Sequence, residues 1–491
     1  MSRGAAGAPH DSPSTFLTGR GIVLGMRNAM KRGSFNRKTI LLCAVLAAVF
    51  TPAMASAQQP ASGVATPIVL HAARLLEVDT GNLLRPGEIL VEGDRIKAVG
   101  TSVDHPAGAK ILDLGDTTLL PGLIDAHVHL FLHPGAEDLQ TVEESVPWRT
   151  LLAEQAAKAD LMAGFTAERD MGTEGAGSAD TAIRDAINQG LIPGPRLRIS
   201  GNAIDILGGH EDANHFNPAQ HVLSNADYAN TADEIVAVMR EQHKQGSSFA
   251  KVYETGPDEM VPAGSLPCLG DPVCAPIEVS EEPGDPEFWS FHTPYQYTEA
   301  QLAAAVAEAA RLDTNVGVHC QGEPGARFAA EAGVASIDHA TQLSDATMRL
   351  MKQKHIPAVP TFTIFEYFAG HAPTAAAAAR EHAMLDYKIH EFRRQVAAGV
   401  PFAVGSDVGP FPHGTQAREL ELMVKYGMTP LAALQADYLN GAKILTWQDE
   451  IGQLKPGYYA DIIAVPGNPL DDISVVERVS FVMKNGEVAR Q

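Results

Sequence analysis

Cysteine, tryptophan and positive charge are all scarce in this chain: four Cys, three Trp, and 37 Lys+Arg against 59 Asp+Glu in 491 residues. So few thiols exclude a fold stapled by disulfides, and a thiolate zinc site would need a second Cys pair that is missing. The acidic balance, a formal −22, disfavours nucleic acid and anionic membrane surfaces as partners. It is equally what a soluble surface needs. No apolar run reaches the roughly 20 residues of a spanning helix, so stable membrane insertion is not expected. Internal repeats and low-complexity tracts are absent as well. What remains, 45% hydrophobic and 20% charged residues with 44 Gly and 32 Pro, is the composition of a globular chain without disordered bias. Its length accommodates one large domain of about 250–350 residues and a smaller one.

The N-terminal segment has its own pattern. Lys31, Arg32, Arg37 and Lys38 precede an apolar run over residues 40–50, and Ala55-Ser56-Ala57 follows. A charged start, an apolar stretch and a small-residue site make a secretory signal peptide. Cleavage is expected after Ala57, with the product exported to the periplasm or secreted; an uncleaved anchor is the alternative. Residues 1–25 lie outside that plan, and Met26 or Met30 would be the more usual start. Residues 1–57 hold seven of the basic and one of the acidic residues, which leaves the exported chain at a formal −28. Cys43 departs with them. In an oxidising compartment Cys268 and Cys274, separated by five residues of a Pro/Gly-rich loop, could pair as a disulfide.

Residues 66–118 read as short strands and turns, at 68–70, 89–92 and 96–99 with Gly93-Asp94 as a hairpin turn. The C-terminal stretch repeats the pattern at 460–465, 479–484 and 487–489, with Asn485-Gly486 as the turn. Two β-rich ends imply a small β-sandwich assembled from residues 58–120 and 451–491. The middle, 121–450, alternates strand-like apolar runs with helical stretches, the mark of a parallel βα architecture. Eight candidate strands fall at 123–129, 166–170, 197–201, 250–254, 316–319, 336–339, 358–361 and 402–407, with Ala-rich helical stretches such as 299–312 and 376–398 between them. Eight βα units over about 300 residues predict an α/β fold of the TIM type, a (β/α)8 barrel. One connection, 256–297, is far longer than an ordinary βα loop. It carries Trp289, Phe291, His292, Tyr295 and the Cys268/Cys274 pair, and loops of this kind shape active sites.

Asp125-Ala126-His127-Val128-His129 closes the first candidate strand. Strand side chains at i and i+2 share a face, so both imidazoles project toward the barrel mouth. Such a pair suits a divalent transition metal. Taken alone it carries little weight, since surface and core histidines give the same spacing. Its weight comes from company: Lys251, His319, His339 and Asp407 end the fourth, fifth, sixth and eighth candidate strands, and catalytic groups of such barrels gather at that one face. Lys251 lies in the apolar run Phe249-Ala250-Lys251-Val252-Tyr253; a structural ion pair or a snorkelling lysine is its plainer role. Tyr253 shares the face of Lys251 and could donate to an oxyanion or a substrate carboxylate, or simply pack in the core. His210, after Gly208-Gly209, and His413 are candidate substrate contacts, and each could equally be a plain loop histidine. Glu211, Asp212 and His215 share the first of those loops without an assigned role.

With Pro121-Gly122-Leu123-Ile124 ahead of Asp125-Ala126-His127-Val128-His129, then Lys251, His319, His339, Gly405-Ser406-Asp407 and Gly457-Tyr458-Tyr459-Ala460-Asp461, the chain resembles the binuclear branch of the amidohydrolase superfamily over residues 66–489. Gly164-Phe165-Thr166 with Arg169-Asp170, Gly208-Gly209-His210 and Pro412-His413-Gly414 are similar to its prolidase-like group. That group holds Xaa-Pro dipeptidases, related dipeptidases and enzymes that cleave N-acyl amino acids such as ochratoxin. The resemblance implies a metal-dependent hydrolase acting on the amide bond of a small peptide or N-acyl amino acid. It implies two divalent ions, zinc by default: one held by His127, His129 and Asp407, the other by His319 and His339. Lys251, carboxylated by carbon dioxide, would bridge them. Asp407 would take the proton of a bridging water and pass it to the leaving nitrogen, or ligate only. The loop 209–215 and the connection 256–297 depart from the shortest family pattern, and both bear on specificity.

Two other readings compete. A cyclic amide hydrolase or deaminase of the imidazolonepropionase type is expected to use one metal and no bridging lysine. A non-catalytic exported binding protein would have lost ligands, and none is missing. The sequence leaves open whether the chain forms a homo-oligomer.

Overall fold

The computed structural model describes residues 66–212, 217, 219, 221–257, 259–262 and 289–491. The expected signal peptide (1–57), His215 and the Cys268/Cys274 pair lie outside the described residues.

The chain ends form two sheets. One has four strands in the order Arg95–Gly100, Gly87–Glu92, Ile68–Ala72, Lys110–Asp113. The other has six, in the order Glu487–Arg490, Phe481–Lys484, Ile462–Pro466, Thr117–Pro121, Arg74–Glu77, Asn82–Leu84. Residues from both ends of the chain therefore share one ladder, in which Ile463 pairs with Leu120. Alternating apolar side chains supply a common core that includes Leu70, Ile89, Leu119, Ile462 and Phe481. The hairpin turn at Asn485-Gly486 has φ of 51° and 74° at its two central residues, the left-handed pair that a two-residue turn between twisted strands requires.

Thr117–Pro121 leads through Gly122 into the first barrel strand, Leu123–Val128. The others follow in chain order: Phe165–Asp170, Arg196–Ile199 with its continuation Ala203–Asp205, Ala250–Tyr253, Val316–Cys320, Ser336–His339 and Ala358–Val359. Each pairs in parallel with the next, as strands joined by helical crossovers do. The expected strand at 402–407 is not continuous; this segment joins its neighbours by single bridges, Phe402 to Ala358 and Val408 to Val128. Hydrogen bonds from Ala126 N to Val404 O (2.9 Å), Asp407 N to His127 O (2.8 Å) and His129 N to Val408 O (2.8 Å) nevertheless close the (β/α)8 barrel. The irregularity has a cause. Asp407 has a φ of 64°, and a Cβ on Gly405 would stand only 2.8 Å from that of His127.

The seventh strand also stops earlier than 361, because Thr361 takes a φ of 53° and caps the helix Phe362–His371. Helices Glu299–Arg311 and Ala375–Ala398 occupy the expected Ala-rich stretches. Within the long connection, Glu259–Pro262 pairs antiparallel with Trp289–His292, so its two arms are strands rather than open loop. Among the described residues no helix is long and apolar enough to cross a membrane.

Candidate metal centre

The C-terminal ends of the barrel strands surround a cavity of about 430 Å³, and His127, His129, His319, His339 and Asp407 all line it. Lys251, fully buried, belongs to the same group through its contact with Tyr253, its Nζ lying 4.8 Å from the ring centre.

His127 Nε2 and His129 Nε2 are 3.3 Å apart, and Asp407 Oδ1 stands 3.4 Å from each. Three donors with edges of about 3.3 Å are what metal bonds of about 2.0 Å at tetrahedral angles produce. The rings are oriented from behind. His127 Nδ1 donates to Asp338 Oδ2 at 3.0 Å, and Asp338 is itself gripped by the Arg169 guanidinium at 3.0 Å. His129 Nδ1 faces Gly172 O at 3.1 Å and Glu174 Oε1 at 3.0 Å. A proton fixed on Nδ1 leaves the Nε2 lone pair directed at the centre. Burial, reinforced by the charge of Lys251, brings the His127 imidazole down to about 4. Burial would raise the Asp407 carboxyl, but the surrounding His127, His129 and His339 rings hold it far below its usual range. Asp407 keeps 17% of its side chain exposed, against 1% for His127 and 5% for His129, so the carboxylate is the most accessible of the three.

Asp125 braces this half. Its carboxylate accepts from His127 N (3.0 Å), Ser406 N (3.1 Å) and Ser406 Oγ (2.6 Å), tying the first strand to the segment that carries Asp407.

The second half is less tied. His319 and His339 have ring centres 4.3 Å apart, and His339 lies 5.0 Å from His127. His339 Nδ1 meets Thr361 Oγ1 at 2.8 Å. Lys251 Nζ and His319 Nε2 are buried without a hydrogen-bond partner among the described residues. Burial lowers the Lys251 ammonium against the pull of Asp338, Asp407 and Glu174. Burial, with His210 and His339 beside it, also lowers the His319 ring. Buried polar atoms left unpaired are costly, and a metal ion beside this donor set would satisfy both. The residues present therefore fit a divalent centre.

Of the candidate substrate contacts, two reach the cavity. Tyr253 and His210 stack at 4.9 Å with an interplanar angle of 13°, and His210 also meets the His319 ring at 4.3 Å. Gln296, at the end of the long connection, holds the His210 backbone N at 2.8 Å. Burial and the nearby Glu174 and Glu211 carboxyls push the Tyr253 phenol up, which keeps it a hydrogen-bond donor. His413 is not among the residues lining the cavity; its Nδ1 bonds Asp160 Oδ2 at 2.7 Å.

The sequence reading missed Asp338, Thr361 and the cavity-lining carboxyls of Glu137 and Glu174, and left Glu211 without a role. The opposite wall is apolar, with Met260, Ile364, Phe365, Phe368 and Met384. Arg380 is the one Lys or Arg among the described residues lining the cavity. Only Asp338 left a signal, standing directly before His339.

A closed (β/α)8 barrel with histidine and carboxylate donors converging at its C-terminal mouth defines a hydrolase of the metal-dependent class. The chain belongs to the Amidohydrolase family, which matches residues 118–257 and 289–489. It is 28% identical to the ochratoxinase of Aspergillus niger over 454 residues, covering 86% of each chain. The solved structure of a Xaa-Pro dipeptidase with bound methionine in the active site superposes with a TM-score of 0.74 at 28% identity, covering 87% of this chain and 100% of that one. An imidazolonepropionase from Anaeromyxobacter sp. (strain K) is 24% identical over 462 residues, covering 86% of this chain and 96% of its own.

Proposed function

We propose that this chain hydrolyses the amide bond of a small peptide or an N-acyl amino acid that ends in a free carboxylate. The observation that carries the reading is the triangle of His127, His129 and Asp407 beside His319, His339 and an unpartnered buried Lys251. His127, His129 and Asp407 would hold one divalent ion, zinc by default, and His319 and His339 a second, with Lys251 carboxylated by carbon dioxide between them. Two such ions, when bound, activate a water for attack and polarise the scissile carbonyl.

The chain's own groups supply the rest. Asp407, the exposed edge of the triad, accepts the water's proton and returns it to the leaving nitrogen. The neutral Tyr253 phenol donates to the developing oxyanion or to the substrate carboxylate. His210, stacked on Tyr253, orients that donor. Arg380 provides a counter-charge for a carboxylate, while Met260, Phe365 and Met384 receive apolar substrate groups. The ochratoxinase and Xaa-Pro dipeptidase likenesses support this substrate class.

A panel of dipeptides and N-acyl amino acids, with metal analysis of the same sample, tests the reading. Turnover of at least one carboxylate-terminated amide with two ions per chain is expected; Asp407→Asn at full activity would sink it. The imidazolonepropionase likeness supports a second reading, cyclic amide hydrolysis or deamination. A metal content near one ion per chain, with no role for Lys251, would favour it. We also propose export with cleavage after Ala57, which N-terminal sequencing of the mature protein would check.

A further inference from the structure

The helix Ala375–Ala398 presents Met384, Lys388 and Gln395 on one buried face, at i, i+4 and i+11, whole numbers of helical turns apart. Met384 reaches the cavity. Lys388 and Gln395 reach backbone instead. Lys388 Nζ donates to His339 O at 2.8 Å and to Thr341 Oγ1 at 3.0 Å, and Gln395 Nε2 donates to Ala340 O at 2.7 Å. The two residues whose carbonyls are held are both left-handed, with φ of 69° at His339 and 45° at Ala340. Neither is glycine, so both conformations are strained and persist only where surrounding contacts impose them. An ammonium is also expensive to bury. Lys388 is nevertheless 2% exposed, and its charge lies against the faces of Phe365 and Phe362, 4.3 and 5.6 Å from the ring centres.

The strain has a geometric effect. In an extended strand Asp338 and His339 would face opposite sides. The left-handed turn at His339 lets both serve one centre: Asp338 behind His127, and His339 on the cavity.

We propose that Lys388 and Gln395 are positioning residues for His339, clamping the carbonyls of the strained pair His339-Ala340 so that the imidazole faces the second of the two ions. This rests on the reading of His339 as a ligand of that ion. The clamp holds carbonyls on the C-terminal side of Asp338, which is itself fixed by Arg169 and His127, so its loss should weaken the second ion and leave the first near wild type.

Cobalt(II) titration of the metal-stripped chain, followed by visible absorption and by metal content, separates the possibilities. Wild type should take two ions and His339→Ala one. Lys388→Met should take the first ion at wild-type affinity and the second about 10- to 100-fold more weakly, the usual effect of losing a group that orients a ligand. Lys388→Arg, which keeps a donor for the carbonyl, should recover much of the loss. Gln395→Leu should weaken the second ion in the same sense, and it carries the test if Lys388→Met fails to fold. Cooperatively melting Lys388→Met or Gln395→Leu chains that bind both ions as wild type does would overturn the clamp. A His339→Ala chain that still binds two ions would overturn the ligand assignment instead.

Discussion

His127, His129 and Asp407 are held from behind by Asp338, Gly172, Glu174 and the ladder hydrogen bonds of adjoining strands. His319 and Lys251, by contrast, have side-chain nitrogens with no partner among the described residues, and His339 depends on Thr361 and on a strained backbone. The first trio forms a complete donor set in the bare chain. The second set has only His319 and His339 until Lys251 is carboxylated, as we propose. The two halves should therefore differ in affinity, and the first ion should bind without carbon dioxide.

The largest way to break this contrast is through the groups themselves. Asp407→Asn is expected to lower kcat/KM by about 10³-fold or more, since on the proposed reading it removes both a ligand and the proton carrier. Lys251→Ala should be comparably inactive yet retain the first ion, which metal analysis would show. Next comes Asp338→Asn: with its orienting carboxylate weakened, His127 should bind the first ion about 10- to 100-fold less tightly, with the second less affected. Thr361→Val should act in the opposite sense, weakening the second ion by about tenfold. Equal losses at both ions in either variant would erase the distinction between the halves.

A last effect, on stability rather than on metal binding, concerns the support of Thr361. Glu419 accepts from Phe362 N at 2.8 Å and from Thr363 N at 2.7 Å, at the start of the helix that follows Thr361. Burial, opposed by these bonds, pushes its carboxyl up to about 7 from an ordinary 4.5. The folded chain thus keeps a proton that the unfolded chain releases, so this stability is fully present below about pH 4.5 and is lost as the pH rises through about 7. Glu419→Gln should flatten the decline in Tm between about pH 5 and 8, an effect of up to about 3 kcal/mol. An unchanged slope would remove Glu419 from the account.

The eight barrel segments, the terminal sheets and the meeting of His127, His129, His319, His339 and Asp407 at one cavity were legible in the sequence because each depends on local periodicity. Period-two alternation put His127 and His129 on one face, and the residues ending successive strands were bound to meet at one end of the barrel. What escaped depends on departures from that periodicity. Asp338 reaches the centre beside His339 because the strand ends in a left-handed turn. Thr361 belongs to a helix cap that a strand reading absorbed. Glu174 sits in a loop with a φ of 48°, and no spacing rule gives its aim. The partner of His413 was hidden for another reason: Asp160 lies on the helix Val146–Ala163, remote in sequence and carrying no motif.

The ladder joining the chain ends has a kinetic side. Pro121 pairs with Ile462 immediately before the chain enters the strand that carries His127 and His129. Contacts between such distant residues form slowly, because closing so long a loop costs chain entropy before the contact rewards it. The strand bearing the first ligands can be framed on that side only after nearly the whole polypeptide is available. Maturation of the metal centre is thereby placed late in folding, and a chain cut short of its last strands would be expected to reach a collapsed barrel without a competent site.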